Sequence, residues 1–520
     1  MADLIDRSTK TFRPPSTDDL GAILDVSVTD LSPIGGLSAV PEETIPRGNE
    51  DTVRPSGYGY TSYGTLMNAR QTLAFSESAR IIHECHAEML NVGISADYSA
   101  ALTGYMTANL GRRLRRSTRG VRLLTHGNSA GTAQNRVQVA DLFSDESKIS
   151  FGFDYIEAGI ADGPGTWKSV GQQGVTSLGT HLRALGPGRP AKFRCGSAMS
   201  LPFRDGTIDA VVVDPPYYNM IDYTDASDLF FVWAKRTLQD VDSELFAKPG
   251  LQDKAEEIIV KRGGTRGDHR TESFYEASLK RAFEEARRVI AAHGALVVVF
   301  AHADPDAWVR LLTALTQAGF VVSSSWPSRT EQANTGVSSV RVTITIGCRV
   351  AEPNREPATA TQVDREAQAV VAGRVPGWER DGLALPDQLM AAYGPAMEVY
   401  GRYSKVALPD NSEAAIERYL VLARNAVREA HKMKLDTLPL ETFDAITRFA
   451  VFWLRSYGRT LVPKGEARFS AQADGLRITD IRSGMLNESK GSYRLTLDPP
   501  KVLNGSSPTF DIVRAMATAW

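Results

Sequence analysis

Cysteine is nearly absent from this chain: Cys85, Cys195 and Cys348 are the only three in 520 residues, they stand far apart, and no CxxC occurs. That scarcity excludes a disulfide framework and a zinc ribbon and points to a reducing compartment. Long apolar runs are missing too. None approaches the roughly 18 residues that a membrane span requires, and the polar start MADLIDRSTKTFRPP does not read as a secretory signal. A cytoplasmic protein without membrane attachment is therefore expected. An excess of either charge is also lacking, because 59 Lys and Arg stand against 61 Asp and Glu. No global field then draws the chain to nucleic acid, and any such binding must come from local patches. What is present is a hydrophobic fraction of 42%, enough over this length for a sizeable core and roughly two to four domains.

Residues 1–60 are rich in Pro, Gly, Ser and Thr, and an irregular arm is expected there with one short strand at ILDVSV. Over 61–120 the apolar residues recur three and four apart, in TLAFSESARIIHECHAEML and SAALTGYMTANLGRRL, which predicts two or three helices. Residues 121–190 are glycine-rich and read as a long connection with intermittent structure. From 191 to 350 the pattern is clear. AKFRCGSA, IDAVVVDPP, ALVVVFAH, FVVSSSW and SVRVTITIGCRV predict strands. Between them lie one helix with Tyr275, Leu279, Phe283, Ala286 and Ile290 on its apolar face, and another with Asp304 as N-cap and Pro305 at its first position. Near-continuous apolar strands alternating with helices predict a parallel sheet covered on both faces. The expected fold class is α/β, a partial or complete doubly wound Rossmann-like sheet with helical additions before and after it. A polar linker over 351–375 and a mostly helical region over 376–520, ending in a small helix-and-strand module, complete the reading.

The stretch IDAVVVDPPYYNMIDY carries the chemistry. In open parallel sheets ligands bind beyond the carboxyl ends of the strands, which is where Asp214 is expected. The residues that follow suit methyl transfer to the exocyclic amine of a nucleic-acid base. That amine is a poor nucleophile because its lone pair is delocalised into the ring. A carboxylate at Asp214 and the carbonyl of Pro215, accepting the two amine hydrogens, would make the nitrogen more tetrahedral and stabilise its developing positive charge. Prolines lack N–H groups, so Pro215 and Pro216 present carbonyls. Tyr217 offers a face on which an extruded base can stack. A second Asp-Pro-Pro at Asp498–Pro500, followed by Lys501, reads as a turn, so the tripeptide gains its meaning from the apolar strand before it and the aromatic after it.

The segment GSAMSLPFRDGTIDAVVVDPPYYNMIDYTDASDLFFVWAKR resembles the core of the amino-group DNA methyltransferases. Among them it is most similar to the anti-phage-associated methylases that carry the domain of unknown function 1156. The likeness extends to ELFAKPGLQDKAEEIIV, SSSWPSRTE and TRFAVFWLRSYGRTLVPKGEARFSAQADGL, and is strong over about 190–350. It implies a DNA methyltransferase using S-adenosylmethionine on adenine N6, with cytosine N4 behind it, in phage defence or restriction-modification. By the same resemblance Asp214, Pro215, Pro216 and Tyr217 form the catalytic loop, and Gly196, Ser197 and Ala198, with Asp214, lie near the cofactor's adenosine. Tyr217, Tyr218, Asn219, Asp222 and Tyr223 shape the base pocket, although Tyr218 and Tyr223 fit a packing role equally well.

The resemblance also implies a glycine-rich loop after a first strand, holding the methionine end of the cofactor. The candidates Ile34–Gly36, GNSAG at 127–131 and GPG at 163–165 do not follow a buried strand and open a helix. The expectation is therefore the C-terminal half of a split methylase, a truncated product, or a subunit without cofactor binding, with a partner chain supplying the missing strands. A non-catalytic DNA-binding or scaffold subunit of a defence complex is the alternative. The basic run RRLRRSTR (Arg112, Arg113, Arg115, Arg116, Arg119) is a candidate for DNA backbone contact, weighed against a solvated helix end. For His83, Cys85 and His86 in HECH, His83 and Cys85 point to different helix faces and no second cluster completes four ligands, so no metal site is expected.

Overall fold

The computed structural model describes the chain except residues 1, 5–9, 13, 15, 25, 126–136, 144–147, 158, 160–165, 187, 189–190, 247–248, 262–266, 303, 330–341, 433–441, 473, 490, 501–502, 506 and 520. The chain divides into two compact units, Met1–Arg194 with Asn219–Thr271, and Cys195–Tyr218 with Glu272–Trp520. This is a mixed α/β protein. Among the described residues no helix is long and apolar enough to cross a membrane.

The first unit is built on α1 (Ala69–Asn91), α2 (Ala96–Leu114), α3 (Trp167–Ala184) and α4 (Tyr223–Leu238). Asn68 starts α1 with a capping box, its side chain accepting from the Gln71 N–H while Gln71 reaches back to the Asn68 N–H. Ser95 and Thr166 cap α2 and α3 in the simpler way. Helical spacing then brings Phe75, Ala79 and Ile82 of α1, Leu110 and Leu114 of α2, and Leu229, Val232 and Trp233 of α4 into one core. Two readings of the sequence are corrected here. The stretch expected as a strand near residue 23 begins within a helix, Thr17–Leu24. The glycine-rich connection holds the 18-residue α3, because its glycines are widely spaced and Val170 and Gly174 still share one buried face.

The second unit centres on a four-stranded sheet of β1 (Ile208–Val213), β2 (Ile290–Phe300), β3 (Phe320–Arg329) and β4 (Val342–Val350), in the order β1-β2-β4-β3. Of the adjacent pairs only β1·β2 is parallel; β4 is antiparallel to both of its neighbours, so β1, β2 and β3 point the same way and β4 alone runs against them. The expected all-parallel sheet is thus corrected to a mixed one. A continuous apolar run reports that both faces are shielded, one fully at Leu296, Val298, Ile344 and Ile346 and the other in part at Val297 and Val299, and is silent about strand direction. AKFRCGSA forms no strand; Ala191–Gly196 are exposed, Phe193 by 92%. β1 consequently has one neighbour among the described residues, and Val212 stays 68% exposed.

Two helices continue from this sheet as the sequence predicts, except that Ile290, read on the apolar face of the first, begins β2 instead. These are α5 (Glu272–Val289), burying Tyr275, Leu279, Phe283 and Ala286, and α6 (Pro305–Gln317), burying Trp308, Leu311, Leu312 and Leu315. Asp304 caps α6 by accepting from the Asp306 N–H, with Pro305 at the first turn. The stretch read as a linker is mostly helix: α7 (Ala360–Arg380) packs with α8 (Tyr393–Tyr400) and α9 (Ile416–Lys432). Val363, Ala367, Val371 and Val375 recur every fourth residue along it, a buried stripe hidden by the polar composition around it. The last segment has its own core around Phe449, Trp453, Tyr493 and Leu495, with a three-stranded antiparallel sheet. There the second Asp-Pro-Pro is a local turn, in which the Asp498 carboxylate accepts from the Thr496 hydroxyl at 2.9 Å.

Candidate active site

β1 ends at Val213, and Asp214 follows at the carboxyl edge of the sheet, exposed. The Tyr217 hydroxyl donates to Asp214 Oδ1 at 2.7 Å. The Tyr217 ring stands edge-on to Phe300, the last residue of β2, with centroids 5.2 Å apart. The bond engages Oδ1, and Oδ2 has no donor among the described residues. The two proline carbonyls differ. Pro216 O accepts from the Tyr218 N–H at 3.0 Å and from the Tyr275 hydroxyl at 3.1 Å. Pro215 O has no donor among the described residues.

Tyr218 anchors this loop. Its φ is +54°, in the left-handed region that a non-glycine residue enters at a cost of roughly 1–2 kcal/mol. Its neighbours hold it there. The ring meets Tyr275 at 5.3 Å and His302 at 6.2 Å, both edge-on, and the Arg310 guanidinium lies 5.2 Å from its centroid. The hydroxyl donates to Glu272 Oε1 at 2.8 Å, and Arg310 pairs with the same carboxylate at 3.0 Å and with Glu276. Burial, and then the bond to Glu272, push the Tyr218 phenol up to about 12. Tyr218 is 5% exposed, packed among Tyr275, His302 and Arg310.

The other base-pocket candidates belong to the first unit, since the division falls between Tyr218 and Asn219. Asn219 is half-buried and Tyr223, the first residue of α4, is 39% exposed. The Asp222 carboxylate is spent within its own unit, accepting from the Thr52 hydroxyl at 2.6 Å and from Lys261 Nζ at 2.8 Å. It opens onto a buried charge network. Asp225 accepts from Asn49 at 2.9 Å, Lys261 at 2.7 Å, Arg270 at 3.1 Å and Lys254, and Asp228 accepts from Lys254 at 2.7 Å. Burial alone would raise the Asp225 pKa, but Lys254, Lys261 and Asn49 outweigh it and hold this carboxyl well below the usual range. For Asp228 burial wins and the shift is upward.

Gly196, Ser197 and Ala198 lie in an open loop, and Ser197 Oγ accepts from the Met199 N–H. The next residues are pinned to α5: Arg288 donates to Leu201 O at 3.0 Å, Phe203 O at 2.9 Å and Asp205 at 2.6 Å, and Glu285 accepts from the Leu201 N–H. These residues do not by themselves make a pocket for S-adenosylmethionine. Of the glycine-rich candidates, Ile34–Gly36 is a tight turn bridged to Leu37; residues 127–131 and 163–165 lie outside the described residues. In the basic run, Arg113 is 3% exposed with its guanidinium over Trp167, which removes it from contact with phosphate. Arg115 pairs with Asp141 at 2.7 Å. Arg112, Arg116 and Arg119 are half-buried. The described residues hold no metal-ligating cluster, and His86 Nδ1 lies 3.1 Å from the Thr103 hydroxyl.

No protein-family model matches the chain, and no curated protein matches it. Sequence reasoning missed Glu272, His302 and Arg310 around the loop, and took Tyr275 for a plain core residue. Tyr275 did carry a signal: a hydroxyl on an otherwise apolar helix face needs a partner when buried. Arg310 carried none, because its spacing is that of any solvated helix position.

Proposed function

We propose that this chain is part of an S-adenosylmethionine-dependent DNA methyltransferase acting on an exocyclic amine, adenine N6 ahead of cytosine N4, in phage defence or restriction-modification. One observation carries the reading: among the described residues neither Asp214 Oδ2 nor the Pro215 carbonyl has a donor, at the carboxyl end of β1 and beside a tyrosine that fixes the carboxylate. Two adjacent acceptors are what an amine's two hydrogens need. Asp214 and Pro215 would draw the nitrogen toward tetrahedral geometry, and the negative carboxylate would favour the charge that builds on it. The ring of Tyr217, half-buried against Phe300, supplies the stacking face. When bound, the cofactor supplies an electrophilic methyl group.

The open edge of β1 and the exposed Ala191–Gly196 stretch favour an enzyme completed by further strands from a partner chain. The same openness supports a second reading, a non-catalytic DNA-binding or scaffold subunit. Transfer of labelled methyl groups to DNA by the chain co-expressed with its upstream neighbour tests the first. Asp214→Ala should abolish transfer while the protein unfolds at the same temperature, and full activity in that variant would end the proposal. Calorimetry with S-adenosylmethionine separates the two readings: binding restored by the neighbour marks a split enzyme, and none under either condition marks a scaffold.

A further inference from the structure

The first unit presents a row of aromatic rings that the amine chemistry does not use. Tyr58, at the end of the 3-10 turn Arg54–Tyr58, is 63% exposed, and Phe153 is 83% exposed. Phe151 joins them, stacked on Tyr58 at 4.7 Å and edge-on to Phe153 at 5.1 Å, and Tyr60 continues the row 5.3 Å from Phe151. Backbone pairing holds the rings in place. Ile149 N–H donates to Thr52 O at 2.8 Å, Arg54 N–H to Ile149 O at 3.2 Å, and Gly152 N–H to Arg119 O at 2.9 Å. The platform is thus prepaid in conformational entropy and keeps Tyr58 and Phe153 toward water over the half-buried Phe151 and Tyr60, an arrangement that suits a recognition surface.

Arg119 stands beside this platform. Its guanidinium lies 5.5 Å from the ring centroids of both Tyr60 and Tyr155. Among the described residues it has no carboxylate partner, and its buried Nε has no hydrogen-bond acceptor. Glu157, on the same segment as Tyr155, is taken by Arg70 at 2.9 Å. Arg119 and Tyr60 also line a cavity of about 570 Å³, together with Ala39, Pro41 and Gly64. That volume falls within the range of small-ligand sites, roughly 300–1,000 Å³.

We infer that Tyr58, Phe151, Phe153 and Tyr60, with Arg119, form a binding site for an unpaired stretch of nucleic acid. The exposed rings of Tyr58 and Phe153, backed by Phe151 and Tyr60, offer stacking faces to bases, and every base has such a face, so the site is tolerant of sequence. A duplex keeps its base faces stacked internally and cannot use them. The unneutralised Arg119, held between two tyrosines, adds the positive charge that a phosphate or base edge needs, and guanidinium planes stack as well as pair. The choice of nucleic acid over another aromatic anion rests on the DNA reading above. Binding at the platform does not require methyl transfer.

The test uses the full chain and fluorescence anisotropy with a labelled single-stranded DNA and the matching duplex, over a salt series. Tyr58→Ala and Phe153→Ala replace exposed rings, and circular dichroism and thermal unfolding check that each variant folds. Wild type should bind the single strand more tightly than the duplex, and each ring variant should weaken that binding roughly tenfold. Arg119→Gln should reduce the salt slope by about one. Absence of single-strand binding, a preference for duplex, or ring variants that bind normally would each overturn the inference. So would ring variants that change only self-association. Methyl transfer retained by Asp214→Ala, with single-strand binding lost in the ring variants, would remove the proposed reaction and leave the platform standing.

Discussion

The hydroxyl of Tyr217 donates to Oδ1 of Asp214 at 2.7 Å across three residues of loop, so the ring expected to stack on a base also orients the carboxylate expected to accept from it. Tyr217→Phe separates the two tasks. It keeps the ring and deletes a hydrogen bond to a charged group, worth about 1.5–3 kcal/mol. Methyl transfer should fall roughly tenfold or more in kcat with KM for DNA little changed, measured on the assembled enzyme.

Tyr218 should resist ionisation. Its phenol is held up to about 12, against about 10 for an exposed tyrosine. Because the folded value lies above the unfolded one, the associated stability is complete below about pH 10 and is lost as pH rises toward 12. Titration of phenolate absorbance in wild type and Tyr218→Phe should show one tyrosine missing from the variant's late phase.

Tyr218→Ala should cost about 3–5 kcal/mol, because it empties the space between Tyr275, His302 and Arg310. Thermal or urea unfolding measures this. Tyr218→Phe should lose far less, since Glu272 keeps its pair with Arg310.

Lys261→Met should be severe for the first unit. Lys261 is 2% exposed and serves both Asp222 and Asp225, so its removal leaves buried carboxylates short of a cation, at a cost of about 3–5 kcal/mol. Urea unfolding should show a lower midpoint with an unchanged slope.

Acid should loosen the same network. Asp225 has its pKa depressed, so its contribution is present above the unfolded value near pH 4 and is lost as pH falls through the folded one. Asp228 is shifted upward and opposes it in part. Asp225→Asn should flatten the decline in stability below about pH 4, followed by circular dichroism against urea.

Much of the second unit was legible in the sequence. Asp304 and Pro305 announced α6, and the four-residue recurrence of Leu279, Phe283 and their neighbours announced α5, because caps and periodicity are local properties of the chain. Strand direction was not legible. β4 lies between β2 and β3 and runs against both, which depends on pairing partners far apart in the chain. A helix also went unread where polar residues surround a narrow stripe, as in α7. At the site, Asp214 and Tyr217 were found from motif chemistry alone. Glu272, His302 and Arg310 were not, since they reach Tyr218 only after α5 and α6 have packed.

The sequence by itself determined that an acid, two prolines and an aromatic follow an apolar strand, because residue order and type decide which donors and acceptors a turn can offer. Only the tertiary structure decided which of those groups remain available. Pro216 O is occupied by Tyr275, Tyr218 is sealed among its neighbours and Arg113 is buried, while among the described residues Pro215 O has no donor and Arg119 Nε no acceptor. Satisfaction of a polar group depends on what packing brings within hydrogen-bond reach, and that is a property of the folded chain.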